Sequence, residues 1–162
     1  MKRNIVISRA FALLAAVTLA APAFAHDYRV GDLFIDHPTM PQPAASARAG
    51  GGHMRITNEG TTDDKLIGIE VDFAKGELHG VDFDDNGVAR MYGLDSIEIP
   101  AGETVLLERG GLHVMFMGLE RSPQESEMVP ATLIFEQAGP VEIEFQVIPS
   151  TGAAGGHHNM GH

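Results

Sequence analysis

The sequence predicts an all-β domain, a Greek-key sandwich or barrel. Three observations carry that expectation. Short apolar or alternating runs recur along residues 33–148. Clusters of Gly, Pro, Asn and Asp separate them. No stretch of about 12 residues holds a helical period with capping signals. Evenly spaced short strands divided by turn chemistry mark antiparallel sandwiches and barrels.

The elements follow in order. Residues 1–25 read as a cleavable leader outside the fold: Lys2, Arg3 and Arg9 are basic, residues 10–21 are apolar, and Ala23-Phe24-Ala25 fits a cleavage site. The apolar run is too short to span a bilayer, which takes about 20 residues. Residues 26–150 form one domain beginning at His26. Its first candidate strand is 33–36, followed by a loop over 41–52 that is rich in Pro and Gly. Strand 53–57 stops at Asn58-Glu59-Gly60. Strands 65–72 and 76–79 come next. The turn Asp84-Asp85-Asn86-Gly87 leads into 88–92. Strand 97–99 closes on Pro100-Ala101-Gly102, and 104–108 closes on Gly110-Gly111 before 112–117. Strands 131–136 and 141–148 flank Ala138-Gly139-Pro140 and read as a hairpin. Val141, Ile143, Phe145 and Val147 alternate with Glu142, Glu144 and Gln146, the period of a half-buried strand. Residues 149–156 form a small-residue linker to a His/Met-rich tail over 151–162.

Charge narrows the function. Removing the three basic residues of the leader leaves eight Lys and Arg against 22 Asp and Glu, a formal charge of −14. Nucleic acid and anionic membranes need a basic footprint and are disfavoured as partners. No later run reaches the length of a membrane span, so no membrane insertion is expected. The chain has no Cys. That excludes disulfides, lipidation of the bacterial lipoprotein kind, thiol–disulfide chemistry and the His₂Cys site of a blue-copper carrier. A copper–zinc dismutase would need a denser His/Asp cluster. A metal-free interaction sandwich stays open, because fold alone does not fix function.

Soft-metal donors must then be His and Met. His113-Val114-Met115 places two of them on one strand face, since alternate residues share a side. His79 and Met91 are the other candidates. Imidazole nitrogen with thioether sulfur suits Cu(I), not the oxygen-seeking Mg²⁺ or Ca²⁺ and not structural zinc. Singly, each residue has an ordinary reading. Met91 and Met115 could fill core gaps, and His79 could be a surface residue. Met117 shares the face of Met115 and is assigned to the core. His37, before Pro38 at a strand end, reads as structural. His53 reads as a strand start with a minor claim on metal.

The spacing gives these residues their weight. His79-Gly80, ten residues, Met91, twenty-one residues and His113-Val114-Met115 resemble the signature of the PCu(A)C family of periplasmic copper chaperones. The flanks 27–33, 35–38, 97–102 and 110–115 are similar to that family too, and the likeness covers most of 27–148. The optional Met after the first His is Gly80 here, outside the four ligands. The resemblance implies a cupredoxin-like barrel with one Cu(I) held by His79, Met91, His113 and Met115. It implies a periplasmic carrier, not an enzyme, that delivers copper to the Cu(A) centre of cytochrome c oxidase. The expected acceptor is the oxidase's copper-bearing subunit or another copper chaperone. A sequestration or resistance role of the CopC kind, without delivery, is the alternative. All four ligands are neutral, and thioethers hold copper less firmly than thiolates, which suits a carrier.

Two further sites are expected from the residues. In the tail, His157, His158 and His162 offer imidazoles that suit Cu(II), and Met160 adds a thioether. Cleavage after Ala25 would expose His26, whose α-amine and imidazole could chelate Cu(II) if other His converged on it.

Overall fold

A computed structural model describes residues 26–150. The readings made on the leader (1–25) and on the tail (151–162) lie outside the described residues. Among the described residues there is no helix. Eleven strands form: β1 (Asp27–Val30), β2 (Leu33–Pro41), β3 (Ala49–Asn58), β4 (Asp64–Glu70), β5 (Lys75–Phe83), β6 (Ala89–Leu94), β7 (Ile97–Ile99), β8 (Thr104–Leu107), β9 (His113–Met117), β10 (Met128–Phe135) and β11 (Gly139–Ile148).

The strands join in one path, β6-β5-β9-β3-β2-β11-β10-β4-β7, with β1 on β2 and β8 on β3. The path folds over at β3. Residues Ala49–Gly52 pair with β9, whereas Met54–Thr57 pair with β8. One strand thus belongs to both layers. The hairpin β2–β3 is antiparallel, and β11 returns from the far end of the chain to lie parallel to β2. That long return gives the Greek-key character the turn spacing predicts.

The core sits between the layers. Leu33, Ile35, Ile56, Leu133, Phe145 and Val147 are buried there, on the inward-facing positions of alternating strands. Phe116 of β9 meets Phe145 of β11 edge-on, centroids 5.5 Å apart, and Phe73 at 6.1 Å. Such aromatic pairs contribute roughly 0.5–1.5 kcal/mol beyond their buried area. The buried polar side chains of Asp64 and Asn58 are satisfied locally. The Asp64 carboxylate accepts from the backbone N–H of Lys65, Gln137 and Ala138 at 2.7–3.0 Å, tying β4 to the β10–β11 turn. Asn58 donates to the carbonyls of Thr62 and Ile99 and accepts from Gly60 N–H.

Four sequence expectations are corrected here. The Gly-rich end of the loop expected over 41–52 is strand, since β3 begins at Ala49. Its glycines serve close approach. A Cβ on Gly52 would lie 2.5 Å from Val114 Cγ2 and 2.9 Å from Phe145 Cε1. The strand β1 was not expected; it is short and half-exposed, and only Tyr28 and Val30 pack on the core. His37 is not at a strand end. It lies inside β2 at φ +51°, where the register with β3 shifts between Asp36 and Thr39, and its side chain is exposed. Met117 is not core but 36% exposed at the end of β9.

Substituting Gly52→Ala is expected to lower unfolding free energy by about 1–3 kcal/mol, because Val114, Phe116 and Phe145 have no room to yield. Gly93→Ala, with nothing within 4 Å of the added carbon, should stay within about 0.5 kcal/mol. Urea denaturation of both variants measures the contrast.

Candidate metal centre

Each side of a strand carries its own chemistry here. In β9, Val114 and Phe116 point into the core, so His113, Met115 and Met117 point outward. In β5, Leu78 and Gly80 face the core, which sends Glu77 and His79 outward. The register then aligns them. His79 pairs with His113, Glu77 with Met115, and Lys75 with Met117. Met91 pairs with Val81 across the β5–β6 hairpin, so it shares the outward face of His79. All four predicted donors therefore lie on one face of β6-β5-β9. His79 and Met91 are two arms of a single hairpin, closed by the turn in which Asp84 Oδ1 accepts from Asn86 and Val88 N–H.

The rings of His79 and His113 lie 5.8 Å apart, centroid to centroid. Their partners fix which nitrogen carries the proton. His79 Nε2 lies 2.9 Å from Glu77 Oε2, an acceptor, so Nε2 donates and Nδ1 keeps its lone pair. That Nδ1 is buried and has no hydrogen-bond partner. A buried acceptor left bare is costly and calls for an explanation. His113 is arranged the other way round. Its Nδ1 donates to the Gly111 carbonyl at 3.0 Å, leaving Nε2 free. Second-partner hydrogen bonds of this kind orient metal-binding imidazoles. Lys75, 2.8 Å from Glu77, and His79 together hold the Glu77 carboxyl below its usual range.

The cavity at this face has a volume of about 540 Å³ and is lined by His53, Met91, His113, Met115, Arg109 and Pro41 among others. His79 lies beside His113 and does not line it. A larger groove of about 740 Å³ on the other layer is lined by Glu70, Asp72, Glu142 and Glu144 and holds none of the predicted donors. Met91 is 61% exposed and His113 only 5%, so the donor set runs from buried to open. A core-filling role for Met91 is thereby excluded.

Two further residues of this face carry no motif in the sequence. Glu77 stands two residues before His79, the spacing that puts both on one strand face, yet it was not singled out. His53 had a minor claim and proves to line the cavity. Burial pushes its imidazole below the ordinary range, with His113 and Arg109 adding to the shift. His26 directly precedes β1 and does not line the cavity. Beside it, Asp27, Asp36 and His37 place potential ligand atoms within 4.8 Å of one another. The His37 Nδ1–Asp36 hydrogen bond (2.5 Å) and Arg55 3.4 Å from Asp36 account for that cluster as an ion-pair network.

The family described as LpqE-like lipoproteins matches residues 33–147. The chain belongs to this LpqE-like, or PCuAC, family. No curated protein sequence matches it. Among solved structures, the apo PCuAC domain of PmoF1 is 27% identical with a TM-score of 0.66, covering 76% of this chain and 99% of that domain. The copper-bound PCuAC domain of PmoF2 is also 27% identical at a TM-score of 0.66, covering 76% and 98%. The Cu(I) form of DR1885 from Deinococcus radiodurans is 27% identical at 0.60, covering 80% and 85%. The fold is thus the cupredoxin-like β fold of PCuAC domains, and the protein is homologous to copper-binding domains. The lipoprotein description of the family marks its members as extracytoplasmic.

The depressed pKa of His53 has a testable consequence. Its NMR titration midpoint should fall below the ordinary value of about 6.5. The unfolded chain then takes up that proton first. Stability is full above about pH 6.5 and declines as pH falls towards the folded midpoint. In His53→Gln this part of the decline should vanish.

Proposed function

We propose that the protein is an extracytoplasmic copper chaperone whose cargo is Cu(I), held by His79, Met91, His113 and Met115. The observation that carries this is the buried, partnerless Nδ1 of His79 beside His113, with both thioethers on the same face. A cation accepting that lone pair removes the cost of burying it bare. Two imidazoles and two thioethers are neutral, so the bound ion keeps its single positive charge. The soft sulfur donors favour Cu(I) over Cu(II).

The gradient of exposure gives the hand-off its direction. His113, anchored by Gly111, and His79, anchored by Glu77, stay fixed. Met91 on the open hairpin is the donor an incoming ligand can displace. The protein performs no bond chemistry on its cargo; it orients donors and limits access of water and oxidant. The acceptor we propose is the Cu(A)-bearing subunit of cytochrome c oxidase, consistent with the family likeness. Retention without delivery, as in a resistance protein, is distinguished by transfer alone. The tail donors His157, His158, Met160 and His162 would add a separate Cu(II) site.

Chelator competition under anaerobic conditions tests the ligand set. His113→Ala and Met115→Ala are each expected to weaken Cu(I) at least tenfold, about 1.4 kcal/mol. Met117→Leu should change affinity less than twofold. Equal losses at Met115 and Met117 would reverse the choice of sulfur.

Delivery is tested by mixing the Cu(I) protein with an apo Cu(A) domain. Copper is expected to move to the acceptor, and faster from Met91→Ala. Full retention by the chaperone would favour sequestration.

A further inference from the structure

The copper face carries an imidazole that the four-ligand pattern does not use. In β3, Gly51 pairs with Met115 and Gly52 with Val114, where the pairing with β9 ends; His53 is the next residue, and it lines one cavity with His113. His113 in turn pairs with His79. Three imidazoles, on the neighbouring strands β3, β9 and β5, are thus gathered about His113. Neighbouring strands are about 4.8 Å apart, so each flanking ring needs only to lean towards the centre. The rings of His79 and His113 stand 5.8 Å apart.

His53 is placed for this by the glycine before it. Its Nε2 lies 3.6 Å from where a Cβ on Gly51 would stand. The ring thus folds back over a bare stretch of β3, directly across from Met115. A larger side chain at 51 would stand between His53 and Met115. His53 and His113 line the same cavity with Met91 and Met115, and His79 stands beside His113 on the next strand. Among the described residues no side-chain hydrogen bond engages the His53 ring.

We propose that His53 is a Cu(II) donor of this face, binding the oxidised ion together with His113 and His79. The proposal rests on the copper reading given above. Cu(II) favours nitrogen donors over thioethers, and a third imidazole supplies what the Cu(I) set lacks. The two ions then share the histidines and differ in the rest: Cu(I) recruits Met91 and Met115, whereas Cu(II) recruits His53. The domain accepts either oxidation state without help from the tail.

The test uses the full chain with His157, His158 and His162 replaced by alanine, so that Cu(II) signals arise outside the tail. Cu(II) chloride is titrated in and followed by electron paramagnetic resonance, with pulsed measurements counting coordinated imidazoles. One Cu(II) with three imidazoles is expected. His53→Ala and the bulkier His53→Gln should each leave two and weaken Cu(II) at least tenfold, with a clearly smaller loss for Cu(I). Circular dichroism confirms that both variants fold. An unchanged imidazole count in both variants would overturn the proposal. So would equal losses for the two ions, or no Cu(II) uptake by a chain that still binds Cu(I). Failure of that chain to bind Cu(I) at all would instead overturn the chaperone reading.

Discussion

The antiparallel register between β5 and β9 sets His79 opposite His113, and the rest of the proposed copper face follows from it. A slip of one residue would turn every side chain of β9 over. Val114 and Phe116 would then face solvent, and His113 and Met115 would enter the core. The register is held because Phe116 packs edge-on against Phe145 and beside Phe73. Core packing on one side of the strand therefore fixes the donors on the other. The metal face needs no nucleus of its own. It is the reverse side of a hydrophobic layer.

The two histidines are prepared in opposite senses. Glu77 accepts a hydrogen bond from His79 Nε2–H, and the Gly111 carbonyl accepts one from His113 Nδ1–H. Each ring is left with one lone pair, and the one on His79 is buried without a partner. A carboxylate behind one imidazole also places negative charge near the proposed cation without spending it as a ligand. Met91, by contrast, is held only by its hairpin. Buried, hydrogen-bonded nitrogen donors and an exposed sulfur donor suit the proposed carrier, which must bind selectively and still release.

Most of the strands were legible because they obey period-two alternation, as Val141–Val147 does, or end at strong turn residues, as at Asp84–Gly87. The shared face of His113 and Met115 was legible because His-x-Met on one strand can only share a face. What escaped was set by contacts between segments distant in sequence. Gly50–Gly52 look like a flexible linker, and only the closeness of Val114 and Phe145 shows why they must be glycine. His53 has no motif of its own; it gains meaning from lining one cavity with His113. Met117 follows the same alternation as Met115, yet it sits at the strand's end, where no third layer covers it. The positive φ of His37 could not be foreseen, because it arises at a register shift between β2 and β3.

The central claim is that this outward face of β6, β5 and β9 is a mixed nitrogen and sulfur copper site. X-ray absorption at the copper edge of the Cu(I)-loaded chain addresses it most directly. The expected spectrum has two sulfur and two nitrogen scatterers, with sulfur lost stepwise in Met91→Ala and Met115→Ala. A spectrum with nitrogen or oxygen neighbours alone, unchanged by those substitutions, would contradict it.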